Sequence, residues 1–136
     1  MNTSQQVEGI EEQSSVYKVA ARKWIARSPT LTVMEFTLAP QQDVPFHYHS
    51  DCYDIFYCIE GSMVVEQADV ATGQRQADLV LNLGDSARVD AGTAHRPFNP
   101  GPGRCRFVII QGFGHKDFLL FQPAAQPAQP QINPEI

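Results

Sequence analysis

The sequence predicts an all-β sandwich or barrel, and three observations carry that prediction. Ten prolines and nine glycines are spread through the 136 residues, a density that favours many turns over long helices. Turn signals recur at intervals of roughly 8–12 residues between short apolar or alternating runs. Little of the chain carries a helical period. The length fits one domain and is enough to bury most of its surface around a real core. Composition is ordinary for a globular protein, 43% hydrophobic and 18% charged. Residues 1–15, rich in Gln, Ser and Glu without an apolar period, read as a mobile arm. Residues 16–121 read as the β-domain, and the Pro/Gln-rich segment 122–136 as an extended tail that builds no core.

The elements follow in order. Segment 31–39 sets Met34, Phe36 and Leu38 against Val33, Glu35 and Thr37, the alternation of a half-buried strand. Residues 41–45 form a break, after which Pro45 and Phe46 lead into His47-Tyr48-His49. Segment 54–60 is rich in aromatic and β-branched residues, and Gly61-Ser62 reads as a tight hairpin turn into 63–67. A turn over 71–76 leads to a strand over 77–83. Gly84-Asp85 turns the chain into 86–90, and Ala91-Gly92-Thr93 turns it again before His95. A proline–glycine loop at 99–104 precedes the strongly apolar strand 105–113, and 117–121 closes the pattern.

The formal charge of −5 and the pI near 5.2 exclude a general nucleic-acid binder, which needs a basic face. Lys18, Arg22, Lys23 and Arg27 read as a solvated strand face. Cys52, Cys58 and Cys105 are odd in number and irregular in spacing, a poor disulfide framework. The polar, acidic N-terminus lacks the basic start and apolar run of a secretory signal. No apolar stretch approaches the roughly 20 residues that span a membrane. The expected compartment is a reducing cytoplasm.

Three of the four histidines fall in two compact clusters. On a strand, side chains at i and i+2 share a face, so His47 and His49 can converge on one ion. A returning chain lets Asp54 face the same interior from the next strand. The second cluster, 84–99, delivers His95 just after a glycine turn.

Here the sequence resembles the cupin family. Its first motif runs Gly, five residues, His-x-His, three or four residues, Glu, six residues, Gly. His47, His49, Asp54 and Gly61 stand at those positions. The second motif runs Gly, five residues, Pro-x-Gly, two residues, His, three residues, Asn. Gly84, Gly92, His95 and Asn99 match it. Three positions depart: Gln41 replaces the first glycine, Asp90 the proline, and Asp54 the glutamate. Aspartate is one methylene shorter, which leaves two arrangements open. Either Asp54 binds the ion directly, or it contacts a water bound to it.

The resemblance implies a double-stranded β-helix, or jelly-roll, barrel that holds one divalent transition metal through His47, His49, His95 and Asp54. Imidazole and carboxylate donors suit Fe, Mn, Ni, Co or Zn. It implies a metal-dependent enzyme acting on a small organic molecule. Oxygen-dependent, dioxygenase-like oxidation leads, with metal-dependent isomerisation or decarboxylation as the alternative. A non-catalytic metal- or ligand-binding barrel is the second class. A metal-free sugar epimerase of the related barrel type ranks last, for want of a visible acid–base pair. Met34, Phe36, Phe56 and Phe107 are the candidate apolar walls of a ligand pocket, and each equally fits plain core. Asp54, Phe56 and Cys58 share a strand face, with Cys58 expected as a buried inert thiol rather than a soft ligand. His115 is expected at the rim or surface. Outward-facing Ile55, Tyr57 and Ile59 offer a homodimer surface, unless N-terminal strands cover them. No catalytic residue is assigned.

Overall fold

The computed structural model describes residues 10–124. Its strands are β1 (Ile10–Glu11), β2 (Ala21–Arg27), β3 (Leu31–Leu38), β4 (His47–Tyr48), β5 (Tyr53–Glu60), β6 (Ser62–Asp69), β7 (Arg75–Asn82), β8 (Ser86–Val89), β9 (Thr93–Phe98), β10 (Cys105–Gly112) and β11 (Leu119–Leu120). No helix occurs among the described residues. The strands form a six-stranded sheet, β1-β2-β3-β10-β5-β8, and a five-stranded sheet, β11-β4-β9-β6-β7. From β5 onward the chain crosses between the two sheets at almost every connection. That winding is the double-stranded β-helix the sequence leads one to expect.

Period-two alternation decides which face each strand buries. Along β3, Met34, Phe36 and Leu38 are buried while Val33, Glu35 and Thr37 are only partly so. Phe56 and Cys58 of β5 and Phe107 of β10 continue that inner face, held in row by the register Phe107↔Cys58 and Phe107↔Phe36. Met63 and Val65 of β6 meet them from the opposite sheet. The three cysteines are buried and free. The buried Asn99 carboxamide ties the proline–glycine loop down. Its Nδ2 donates to Leu38 O at 3.0 Å and Gly103 O at 2.8 Å, and its Oδ1 accepts from Gly101 N at 3.0 Å.

Four sequence expectations change. Gly61 does not turn a hairpin: β5 and β6 belong to different sheets, and β6 pairs with β7 and β9. The glycine instead bends the chain across the sandwich at φ +72, so close that a Cβ there would meet Arg104 O at 2.8 Å. Local turn chemistry cannot distinguish a hairpin from a sheet switch, because both need a left-handed residue. Segment 117–121 pairs only at Leu119 and Leu120, since Asp117 and Phe118 turn elsewhere, as described below. Ile10 and Glu11, read as part of an arm, pair with Trp24 and Lys23. The rest of that arm (residues 1–9) and the tail beyond residue 124 lie outside the described residues. Finally, β2 is not a uniformly solvated basic face. Lys18 and Arg27 are exposed, but Arg22 and Trp24 sit in register with the inward Phe36 and Met34.

Gln41, standing at the position of a motif glycine, adopts φ 65. A side chain there costs about 1–2 kcal/mol of left-handed strain. Replacing Gln41 by Gly relieves that strain, offset by about 0.5–1 kcal/mol of glycine's extra chain entropy. Urea unfolding should show Gln41→Gly stabilised by up to about 1 kcal/mol. Gly61→Ala should be destabilised by about 2–4 kcal/mol, through strain and overpacking together. An unchanged midpoint for Gly61→Ala would refute the tight crossing.

Candidate metal centre

Sheet register brings the two histidine clusters together. His47 on β4 is the direct ladder partner of His95 on β9, and their ring centroids lie 4.3 Å apart. His49, two residues on, returns to the same side with its centroid 5.0 Å from that of His47. Asp54 arrives from the facing sheet, on the inner side of β5. Exposure of the four residues is between 1% and 4%. One ligand atom from each lies within 4.8 Å of all the others.

Each imidazole is aimed by its own second nitrogen. His47 Nδ1 lies 2.7 Å from Pro45 O and His95 Nδ1 2.9 Å from Thr93 O, while His49 Nδ1 bonds Asp117 O. A carbonyl only accepts, so each Nδ1 carries the proton and each neutral ring presents its Nε2 lone pair inward. Asp54 Oδ2 sits 3.1 Å from His49 Nε2 and 2.9 Å from His95 Nε2. Its other oxygen, Oδ1, is buried without a hydrogen-bond partner among the described residues. Lone pairs opposed at such distances need a cation or a proton between them.

The titration behaviour agrees. Burial pushes the His47 imidazole well below its ordinary value, and the neighbouring His95 and His49 rings add to this. Burial also opposes a charge on His49, but the Asp54 carboxylate overrides it and holds that ring above its usual value. For Asp54, burial favours the neutral form, yet the bonds from His49 and His95 hold the carboxyl far below the usual carboxylate range. Without a metal, a proton shared around Asp54 is the local substitute for a cation.

The donor set fits a transition metal. Neighbouring ligands on an ion with bonds of about 2.1 Å stand about 3 Å apart in an octahedral arrangement, and Asp54 Oδ2 meets two imidazoles at that spacing. The shorter aspartate thus lies within 3.1 Å of two of the three imidazoles. Cys58 is not among the converging donors. Its thiol turns to Gly61 O at 3.4 Å, and burial pushes it up, as expected of an inert core thiol. His115 is exposed on the surface.

His47, His49 and Asp54 open onto a cavity of about 230 Å³, with His95 buried behind them. Of the candidate apolar walls, Met34, Phe36 and Phe56 line it. Phe107 does not. It is wholly buried behind them, its ring 5.6 Å from Phe36 and 6.0 Å from Phe56. Sequence reasoning missed three residues here. Phe118 stacks on His47 at 4.1 Å between centroids. Gln111 Nε2 lies 3.3 Å from His49 Nε2. Arg22 reaches the cavity from β2. Gln111 left a signal: it shares parity with Cys105, Phe107 and Ile109, a polar residue on the inner face of an apolar strand. Phe118 left none, because its placement depends on Asp117 anchoring Ser50 N at 2.9 Å.

A family model described as a cupin domain matches residues 34–111. Among solved structures, a conserved protein with a double-stranded β-helix domain from Klebsiella pneumoniae is 24% identical, with a TM-score of 0.63, over 73% of this chain and 81% of the other. An RmlC-like cupin from Shewanella frigidimarina is 18% identical, with a TM-score of 0.58, over 71% and 78% of the two chains. An oxalate oxidase is 18% identical, with a TM-score of 0.60. There the match covers 67% of this chain but only 46% of the oxidase. No curated protein matches significantly. With both motifs folded onto the two sheets and the family match spanning most of β3 to β10, this chain belongs to the cupin family.

Proposed function

We propose that the protein binds one divalent transition metal through His47, His49, Asp54 and His95 and acts on a small organic molecule, by oxygen-dependent, dioxygenase-like oxidation. One observation carries this reading: four buried donors, three of them with Nε2 aimed inward by a carbonyl behind, converge beside a cavity that His47, His49 and Asp54 line. Imidazole and carboxylate donors favour Fe, Mn, Ni, Co or Zn over Ca or Mg. Such an ion, when bound, supplies Lewis acidity and, if redox-active, electron transfer at positions the protein leaves free.

The chain's own residues do the rest. Met34, Phe56 and Phe118 present apolar surface to the ligand and exclude water, which strengthens every polar contact made inside. Stacking against Phe118 fixes the plane of the His47 ring. Gln111 offers a carboxamide beside His49, placed to hold an oxygen of a ligand. At about 230 Å³ the cavity is smaller than drug-sized sites, so the ligand is of metabolite size. That an oxalate oxidase is built on the same fold is consistent with oxidative chemistry here.

Metal analysis of the purified protein tests the reading directly. Close to one equivalent is expected in the parent, and His47→Ala or His95→Ala should lower retention by tenfold or more. Unchanged occupancy in either variant removes that residue from the ligand set. Iron or manganese, together with oxygen uptake that depends on added substrate, is the expected signature of the oxidase reading. Full occupancy without turnover over a broad substrate screen would favour a non-catalytic barrel instead.

Acid should release the metal, because protonated imidazole has no lone pair to donate. His49 is held above its ordinary value without metal, so it takes a proton early as the pH falls. Apparent affinity should therefore decline from about neutral pH downward, and be lost below about pH 5, well under the reference histidine value of about 6.5. Retention at lower pH, followed by equilibrium dialysis, would count against histidine ligation.

A further inference from the structure

Arg22 stands on the inner face of β2, in register with the buried Phe36, and lines the same cavity as His47, His49 and Asp54. Its guanidinium is boxed by aromatic rings, 6.0 Å from the Tyr17 centroid, 5.5 Å from Trp24 and 5.8 Å from Phe36. Nη1 donates to Glu12 O at 2.9 Å. Nε is buried and has no hydrogen-bond partner among the described residues. Arg75, Arg88, Arg96, Arg104 and Arg106 each meet a carboxylate within 4.0 Å, but no acidic side chain pairs with Arg22 among the described residues. The other charged groups of that wall are engaged. Lys116 Nζ donates to Thr30 O and Gly114 O, both at 3.3 Å, and the Asp117 carboxylate accepts from Ser50.

A buried guanidinium N–H left without an acceptor is costly, and an anion is the acceptor that suits it best. We propose that Arg22 is the anion-accepting group of this cavity, and that the ligand is a small carboxylate. Its acid group lies on the Nε edge of Arg22 while its other end faces His47, His49, Asp54 and His95. This rests on the ligand-binding reading above and deepens it by naming the substrate class. A planar carboxylate matches the guanidinium edge, which gives two parallel donors. The aromatic stack Arg22–Tyr17–Phe118–His47 runs along the wall between the two ends, with Tyr17 to Phe118 at 5.4 Å and Phe118 to His47 at 4.1 Å.

Trp24 is the only tryptophan in the chain and lies beside Arg22, so its fluorescence reports this end of the cavity without reference to the metal. Propionate, succinate and glutarate would each be titrated against the corresponding amide, in protein loaded with metal and in protein stripped of it. At least one acid should bind saturably and at least tenfold more tightly than its neutral counterpart, in both metal states. Arg22→Gln should erase that preference and Arg22→Lys should restore part of it, with far-UV circular dichroism unchanged. No response to any acid, equal binding of acid and amide, or an acid preference that survives in Arg22→Gln would overturn the proposal. So would inorganic phosphate binding more tightly than every carboxylate. If Arg22→Gln does not fold, the acid–amide comparison in the parent still decides. Acid preference in a chain that holds no metal would sink the metal reading alone, and metal retention without acid preference would sink this one alone.

Discussion

Three imidazole lone pairs and a carboxylate cannot share a dry interior without positive charge among them. That constraint organises the rest of the molecule. The carbonyls of Pro45, Thr93 and Asp117 each take the outer proton of one ring, so none of the three can turn its acceptor nitrogen away from the centre. Asp54 is buried with one oxygen against two imidazoles and the other unpaired. Such an arrangement is expensive as a structural device, because an apolar residue of similar size would pack there at lower cost.

The sandwich makes the convergence geometrically rigid. Two imidazoles come from a ladder pair of one sheet and the carboxylate from the other, so the centre lies between the sheets and fastens them together. At Gly61 the chain passes from β5 in one sheet to β6 in the other through a single residue, with no slack at that crossing. Where the usual glycine is missing, at Gln41, the backbone keeps its left-handed conformation and the side chain accepts the strain.

Strand parity made the inner faces of β3 and β5 legible, including Met34, Phe36, Asp54 and Phe56. Spacing made the two histidine clusters legible. Beyond the donors that the two motifs name, what could not be read was depth, strand partnering and contacts from segments without a motif. Phe107 has the composition of a pocket wall, yet it packs one layer behind Phe36 and Phe56, a distinction of depth that alternation does not encode. Gly61 has the chemistry of a hairpin and serves a sheet switch, because pairing partners are chosen by the whole topology. Arg22 looks like one member of a basic strand until the neighbouring β3 shows which side of β2 faces inward. Phe118 reaches His47 from a segment with no signal of its own, positioned by Asp117 on Ser50.

Asp54 and His95 are 41 residues apart in the chain, and the sheets that carry them interleave. Neither can approach the other until most long-range strand pairings exist, and loop closure of this kind makes such topologies slow to assemble. A cation consequently cannot template the early chain. A cation held there would be captured by an almost finished molecule and would then weight the equilibrium toward that finished state by mass action, so that metal supply would govern how long the protein persists rather than how it first folds.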